Sequence, residues 1–256
     1  MKKVSLFGLV LMCVMGAVLV SCGNDKSDDS STSLSVSPSS VSLYYEGTQQ
    51  LSASGATSWT SENEFVAKVD SKGLVTANHV GNTNILVSNG NAMGKCAVNV
   101  KAKYNCYDTP LLNWGASTSA ISAAETHTKS SSTSSDYLVY EYTNGTTIAL
   151  VQYIFKSSAL SGINVIMPSS DYASVGLYLL ERYQPANKDD NDSYYFVDAM
   201  DVKHAKNVIV FALQTISNSK YTVVTYFKND TKSNVSRRAY SQNVEIPDEV
   251  LSILEK

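Results

Sequence analysis

Apolar residues follow three different patterns along the chain. Residues 4–20 form a nearly continuous apolar run without a charge, and residues 22–33 are polar and rich in serine and aspartate. From residue 34 onwards, short runs alternate between apolar and polar positions, which is the period of a strand with one buried face. The pattern therefore predicts an N-terminal apolar segment, a polar connector and a folded region rich in strands.

The segment 34–102 reads as a series of short strands separated by turns. The stretch from Asp70 to Gly73 is a turn signal, because glycine adopts a positive φ at little cost. No stretch with helical spacing interrupts the alternation. Evenly spaced short strands of this kind predict a β-sandwich, in which Trp59 and Cys96 are expected to pack inside.

The segment 104–256 follows another pattern, in which helical spacing appears twice between groups of alternating positions. One helix is predicted over 117–125, and a second begins near Ser170, where Tyr172, Val175 and Leu179 recur at helical spacing. Three strand-like runs follow each helix, and a last short helix is predicted over 247–254. The order αβββ-αβββ predicts an α+β domain with one antiparallel sheet and both helices on one face.

Matches to a known module run through the first folded segment. They are Gly47 before Gln50-Leu51, Trp59-Thr60-Ser61, Val66 to Asp70, Gly73 to Ala77, Gly81 and Ile85. In this order they resemble the group 2 bacterial immunoglobulin-like domain, a module repeated in intimin-type and invasin-type adhesins. The resemblance implies an all-β immunoglobulin-like sandwich, here followed by the α+β domain, that serves as a stalk or adhesion module without catalysis. Two departures are a short segment before Trp59 and the presence of Asn82 and Asn84, where small residues are usual.

Residues 1–21 have the layout of a secretory signal peptide, with two lysines ahead of the apolar run. The run ends in Leu19-Val20-Ser21-Cys22, which resembles the bacterial lipobox, where signal peptidase cuts before the cysteine. The resemblance implies that Cys22 is lipidated, with acyl chains such as palmitate that hold the protein to a membrane. An ordinary signal with a chance cysteine and an uncleaved membrane helix are the alternatives.

The connector 22–33 has too few apolar residues for a core and predicts a flexible tether. Its acidic residues soon after Cys22 resemble the export tag of some Gram-negative surface lipoproteins. That resemblance implies an outer-membrane lipoprotein exposed at the cell surface. The alternative is that the strip is a plain linker without an export role. The sequence then fits equally a lipoprotein that faces the periplasm.

Composition points away from several functions. The net charge of the whole chain is −3, and the folded part is more acidic because two of the lysines lie in the signal peptide, which disfavours binding to nucleic acid. His79, His127 and His204 lie far apart without metal-ligand spacing, and the sequence contains no known catalytic motif. The acidic loop 188–193 lacks the glycine and the terminal glutamate of a calcium loop. We therefore predict a protein that is not an enzyme and uses neither a metal nor a cofactor.

Tyrosine is the remaining clue, because 14 of the 16 tyrosines lie from Tyr104 onwards. Tyr194 and Tyr195 are neighbours on a predicted strand and face opposite ways, so one should point away from the helices. Exposed aromatic rings stack on the apolar faces of sugars and anchor protein contacts. Tyr194, Tyr195 and the loop 188–193 are therefore the candidate surface for a glycan or protein ligand, although strands also favour tyrosine for packing alone.

These observations favour a membrane-anchored surface lipoprotein with a non-catalytic binding or adhesion role, in which the sandwich is a spacer that presents the domain 104–256. The alternatives are a structural lipoprotein that faces the periplasm and binds other envelope proteins, and an enzyme with an unrecognised site.

Residues 101–105 predict an exposed joint that trypsin should cut before either core. The sequence leaves open whether Cys106 pairs with Cys96.

Overall fold

The computed structural model of the chain describes residues 33–130, 133–145, 147–230 and 254. The predicted signal peptide, Cys22 and nearly all of the predicted tether lie outside these residues, as does the predicted helix 247–254 apart from Leu254. Within the described part of the chain, no helix is long and apolar enough to cross a membrane.

The first domain is built from seven strands in two sheets. The strands are β1 (Ser40–Tyr44), β2 (Thr48–Gln50), β3 (Ser58–Ser61), β4 (Ala67–Val69), β5 (Leu74–Ala77), β6 (Gly81–Ser88) and β7 (Met93–Lys101). One sheet has the order β1-β7-β6-β3 and the other the order β2-β5-β4. All neighbouring strands are antiparallel except β1 and β7, which run parallel.

Inward-facing residues of both sheets form one core in this domain. Leu51, Val75, Ile85 and Cys96 are fully buried, and Trp59 packs against this cluster while half-buried. The predicted sandwich and the predicted inward positions of Trp59 and Cys96 are thereby confirmed. Cys96 is a free thiol, and so is Cys106, so the two cysteines are not bridged.

The described residues of the second domain form two helices and eight strands. They are α1 (Thr118–Ala124), β8 (Thr128–Lys129), β9 (Tyr137–Asn144), β10 (Thr147–Lys156), β11 (Ala159–Pro168), α2 (Tyr172–Leu180), β12 (Gln184–Lys188), β13 (Tyr194–Val197), β14 (Asn207–Ile216) and β15 (Ser219–Lys228). The Ser117 hydroxyl caps α1 by accepting a hydrogen bond from the Ala120 N–H at 3.2 Å. A single 3-10 turn, Ser169–Asp171, leads into α2. Each helix is therefore followed by four strands instead of the predicted three, since β8 and β12 are additional short strands.

All eight strands join one antiparallel sheet in the order β12-β13-β14-β15-β11-β10-β9-β8. The two groups of strands meet at the centre, where β11 pairs with β15. One face of the sheet packs against both helices, because Ile121 of α1 and Val175, Tyr178 and Leu179 of α2 lie in the same core as the residues of that face.

The opposite face of the sheet is also buried at its centre. Val139, Leu150, Ile166 and Val223 are at most 1% exposed, and Leu254 packs against them. The helices cover one face of the sheet, and apolar residues of the other face are therefore also removed from water at its centre. Strands buried on both sides carry apolar residues at nearly every position, as β10 and β11 do here.

Glu181, which follows α2, connects the two domains. Its carboxylate accepts hydrogen bonds from the backbone N–H groups of Lys103 at 2.9 Å and Tyr104 at 3.0 Å, and its carbonyl accepts one from the Val80 N–H at 2.7 Å. Arg182 donates to the same carboxylate at 2.5 Å, and Glu181 is 1% exposed. A buried carboxylate therefore holds the backbone of residues 103 and 104, while the side chains of Lys101 and Lys103 are exposed as predicted.

Candidate functional site

Tyr194 and Tyr195 lie on β13 and face opposite sides of the sheet, as strand geometry requires. The Tyr194 ring lies 6.2 Å from the ring of Phe211, which stacks on Tyr172 of α2, so Tyr194 lies on the helix side. Its side chain is 37% exposed. Tyr195 is half-buried on the other side and packs against Val197 and its neighbours. Only one tyrosine of the pair therefore points away from the helices.

A cavity of about 700 Å³ opens beside Tyr195. One part of its lining is apolar and is formed by Val197, Val202 and Val208. The other part is polar and is formed by Asn187, Lys188, Asp189, Asp190 and Asn229. The structure therefore brings Tyr195 and the predicted loop 188–193 together at one site and leaves Tyr194 out of it.

Asp189 organises the loop beside this cavity. Its carboxylate accepts hydrogen bonds from the N–H groups of Asn191 at 2.9 Å and Ser193 at 3.0 Å, and from the Tyr195 hydroxyl at 2.7 Å. Burial alone would raise the pKa of Asp189, but these hydrogen bonds outweigh it and lower the pKa. The carboxylate is therefore committed to holding the turn and the ring of Tyr195, which agrees with a structural turn.

The loop 198–207, which carries Val202, is held by two polar side chains. Asp198 accepts hydrogen bonds from the N–H groups of Lys206 at 2.8 Å and Asn207 at 2.9 Å. Asn229 donates from Nδ2 to the carbonyls of Val202 at 2.7 Å and Ala205 at 2.9 Å. Side-chain hydrogen bonds thus hold the backbone on both sides of the cavity.

The lining of the cavity combines charged, amide, phenol and aliphatic side chains. Of the described residues that line it, none is a serine, cysteine or histidine. The described residues contain no cluster of three or more potential metal ligands. A phenol ring beside valines, with carboxylates and amides around them, fits a ligand that has an apolar face and hydrogen-bond donors.

A second group of titratable side chains, not anticipated from the sequence, surrounds Glu125 after α1. The Glu125 carboxylate accepts hydrogen bonds from the hydroxyls of Tyr142 at 2.6 Å and Tyr153 at 2.5 Å, and it contacts Nδ1 of His127 at 2.6 Å. Burial raises the pKa of Glu125, but these hydrogen bonds lower it overall to about 2. Because Tyr142 lies on β9 and Tyr153 on β10, these hydrogen bonds fix the end of α1 to the sheet.

The other reactive side chains that the sequence singled out lie apart from one another. His79 is buried in the first domain, where Nδ1 lies 2.7 Å from the carbonyl of Phe65. His204 is exposed and pairs with Asp201 at 2.8 Å. Burial raises the pKa of the Cys106 thiol to about 11, so this cysteine is a poor nucleophile at neutral pH.

The two-sheet first domain has an immunoglobulin-like fold, and the sequence comparison agrees. Residues 30–100 match the bacterial Ig-like domain (group 2). No curated protein matches the chain with significance. Among solved structures, domains 5-6 of the S-layer protein SbsC are similar at 15% identity over 78% of this chain and 85% of that chain, but the TM-score of 0.23 does not show a shared arrangement.

Proposed function

We propose that the protein is a lipid-anchored surface protein that binds a ligand without catalysis, with the Ig-like domain as a spacer and the second domain as the binding module. The cavity beside Tyr195 carries this proposal. It combines an aromatic ring, an apolar wall and polar groups in the region that the tyrosine pattern indicated. The candidate ligands are a glycan and a segment of another protein.

The rigidity of the cavity supports a binding role. Asp189 holds the Tyr195 ring and Asn229 holds the loop of Val202, so little side-chain freedom is lost when a ligand enters. We also infer that the domain consists of two αβββ units. The symmetrical order of strands on either side of the β11–β15 pair supports this, with β8 and β12 as short additions.

The binding proposal is tested with the soluble chain 23–256, screened on an array of glycans and followed by calorimetry with the glycan that binds best. Tyr195→Ala should weaken binding about tenfold to a hundredfold, the usual effect of losing an aromatic anchor. Tyr194→Ala is the matched control, because Tyr194 lies on the same strand but on the helix side of the sheet. Equal losses in the two variants, or undiminished binding by Tyr195→Ala, would contradict the proposed site.

The anchor is tested by labelling cells that express the full chain with a palmitate analogue. Cys22→Ala should abolish labelling and leave a precursor that keeps residues 1–21. Cys13→Ala is the control, because Cys13 lies inside the predicted signal peptide and should be removed with it. Labelled, processed protein in the Cys22→Ala variant would refute the lipobox. Digestion of intact cells with protease then distinguishes a surface protein, which is degraded, from one that faces the periplasm.

A further inference from the structure

The Ig-like domain presents an outward face that its inward core does not explain. On three of its strands, outward side chains alternate with core residues. They belong to Asn82 and Asn84 on β6, to Ala97, Asn99 and Lys101 on β7, and to Ser40, Ser42 and Tyr44 on β1. Strand pairing places them in rows across the sheet: Asn84, Ala97 and Ser40 form one row, and Asn82, Asn99 and Ser42 form the next. The third row holds Lys101 opposite Tyr44. We call these eight residues the amide face.

Three asparagines at neighbouring positions of a sheet go against the preferences of strands. Asparagine is depleted in strands, where β-branched and aromatic residues pack better. Positions at which a sequence departs from the local rules of its fold are where functional sites are expected.

We propose that the amide face binds a neutral oligosaccharide. Every asparagine offers both hydrogen-bond donors and an acceptor, as sugar hydroxyl groups require. The face borders a groove of about 540 Å³ that is lined by Ser42, Glu62, Asn82, Asn84 and Asn99 among others. Along the strands the three rows span about 14 Å, and the three strands span about 10 Å, which is room for more than one sugar ring.

The amide groups are already oriented. Asn99 donates from Nδ2 to Oδ1 of Asn82 at 2.7 Å, and Asn84 donates from Nδ2 to the carboxylate of Glu62 at 2.8 Å. Each of these bonds uses one of the two amide hydrogens, so each donor amide keeps a hydrogen and its carbonyl oxygen for a ligand. Fixed polar groups lose little freedom on binding, which favours affinity.

Tyr44 supplies the stacking surface beside these amides. Tyr44 is 54% exposed. Among the large hydrophobic residues that are exposed in the described chain, it is the most exposed aromatic residue. The Lys101 ammonium lies 6.0 Å from the centre of the Tyr44 ring. An exposed phenol ring next to hydrogen-bonding side chains is the combination that a sugar with one apolar face and several hydroxyls requires.

The charge of the face argues for a neutral ligand and against other partners. Glu62 of the adjoining groove and Lys101 of the amide face carry one charge of each sign, so neither an acidic polymer nor a basic peptide gains from this surface as a whole. Protein interfaces have an apolar centre, whereas the central residues here are Ala97, Asn99 and their polar neighbours. A neutral oligosaccharide is therefore the occupant that matches the chemistry.

The test uses the chain 23–256 and a panel of short neutral hexose and N-acetylhexosamine oligomers, with binding measured by calorimetry. At least one oligomer should bind, and Asn99→Thr and Tyr44→Ser should each weaken that binding about tenfold or more. Asn99→Thr should leave the melting temperature unchanged or raise it, because threonine is the better strand former. Loss of binding without loss of stability separates a ligand contact from a structural role.

Two further variants make the test decisive. Lys68→Thr changes an exposed residue of the other sheet and should leave binding unchanged. The double variant Asn82→Thr/Asn99→Thr should weaken binding at least as much as Asn99→Thr alone. The proposal is overturned if no oligomer of the panel binds, if the double variant Asn82→Thr/Asn99→Thr binds as well as the unchanged protein, or if only Tyr195→Ala removes binding.

Discussion

Replacement of Glu181 by alanine should loosen the connection between the two domains. The substitution removes the acceptor of two backbone N–H groups, those of Lys103 and Tyr104, and leaves Arg182 without its carboxylate partner. The Glu181 side chain is 2% exposed and that of Arg182 is 15% exposed, so water replaces these bonds poorly. Removing one partner of a buried ion pair typically costs about 3–5 kcal/mol.

A loss of this size is easily measured, because a folded domain is stabilised by only about 5–15 kcal/mol. For a chain of this length, the melting temperature should fall by about 6–20 °C. The melting temperature of Glu181→Gln should lie between those of the unchanged protein and of Glu181→Ala. The glutamine amide keeps one oxygen as an acceptor but lacks the charge that pairs with Arg182. Glu64→Ala is the control, because Glu64 is an exposed glutamate of the first domain.

Trypsin digestion of the intact chain then reports on the joint itself. In the unchanged protein, the bonds after Lys101 and Lys103 should resist cleavage until the domains unfold, because β7 includes Lys101 and the Lys103 N–H is bound by Glu181. In Glu181→Ala these two bonds should be the first cut within the folded region. Rapid cleavage at either lysine in the unchanged protein, at the rate seen in the variant, would refute the inferred role of Glu181.

Gly73→Ala should destabilise the Ig-like domain by about 1–3 kcal/mol, because Gly73 has a φ of +83° and an added Cβ would lie 2.9 Å from the Trp59 ring. Gly55→Ala, with a φ of +74° and open space around it, is the control, and equal losses on urea unfolding would contradict the Trp59 contact. The pKa of Glu125 falls from 4.5 to about 2 on folding, so its contribution to stability is complete above about pH 4.5 and is lost as the pH falls towards 2. Glu125→Gln should therefore flatten the pH dependence of unfolding in this range, and an unchanged dependence would count against the cluster.

Elements with a regular period could be predicted from the sequence because their signals are local. The spacing of Tyr172, Val175 and Leu179 predicted α2, which spans Tyr172–Leu180, and the turn at Gly73 connects β4 to β5 as expected. The burial of both faces of the sheet was missed, although β10 carries an apolar residue at nearly every position. That continuous pattern is typical of a strand covered on both sides and was the available signal.

The two buried glutamates could not be predicted, because their partners lie far away in the sequence. Glu181 binds backbone groups 77 and 78 residues distant, and Glu125 binds hydroxyls 17 and 28 residues distant. Each follows a helix, where an acidic residue reads as the solvated end of that helix. The alternation on β13 did predict that Tyr194 and Tyr195 diverge, but only the position of α2 determines which one faces the cavity.

The order of strands in the second domain has a consequence for how the chain reaches its folded form. Pairs such as β9 with β10 and β14 with β15 join neighbours along the chain and can close quickly, whereas β11 must wait for β15. Until then β11 is an edge strand with unpaired backbone groups and with Ile163, Val165 and Met167 uncovered. The middle of the finished sheet is thus the last part to be completed, and a chain cut short before residue 219 would present β11 to other copies as a template for aggregation.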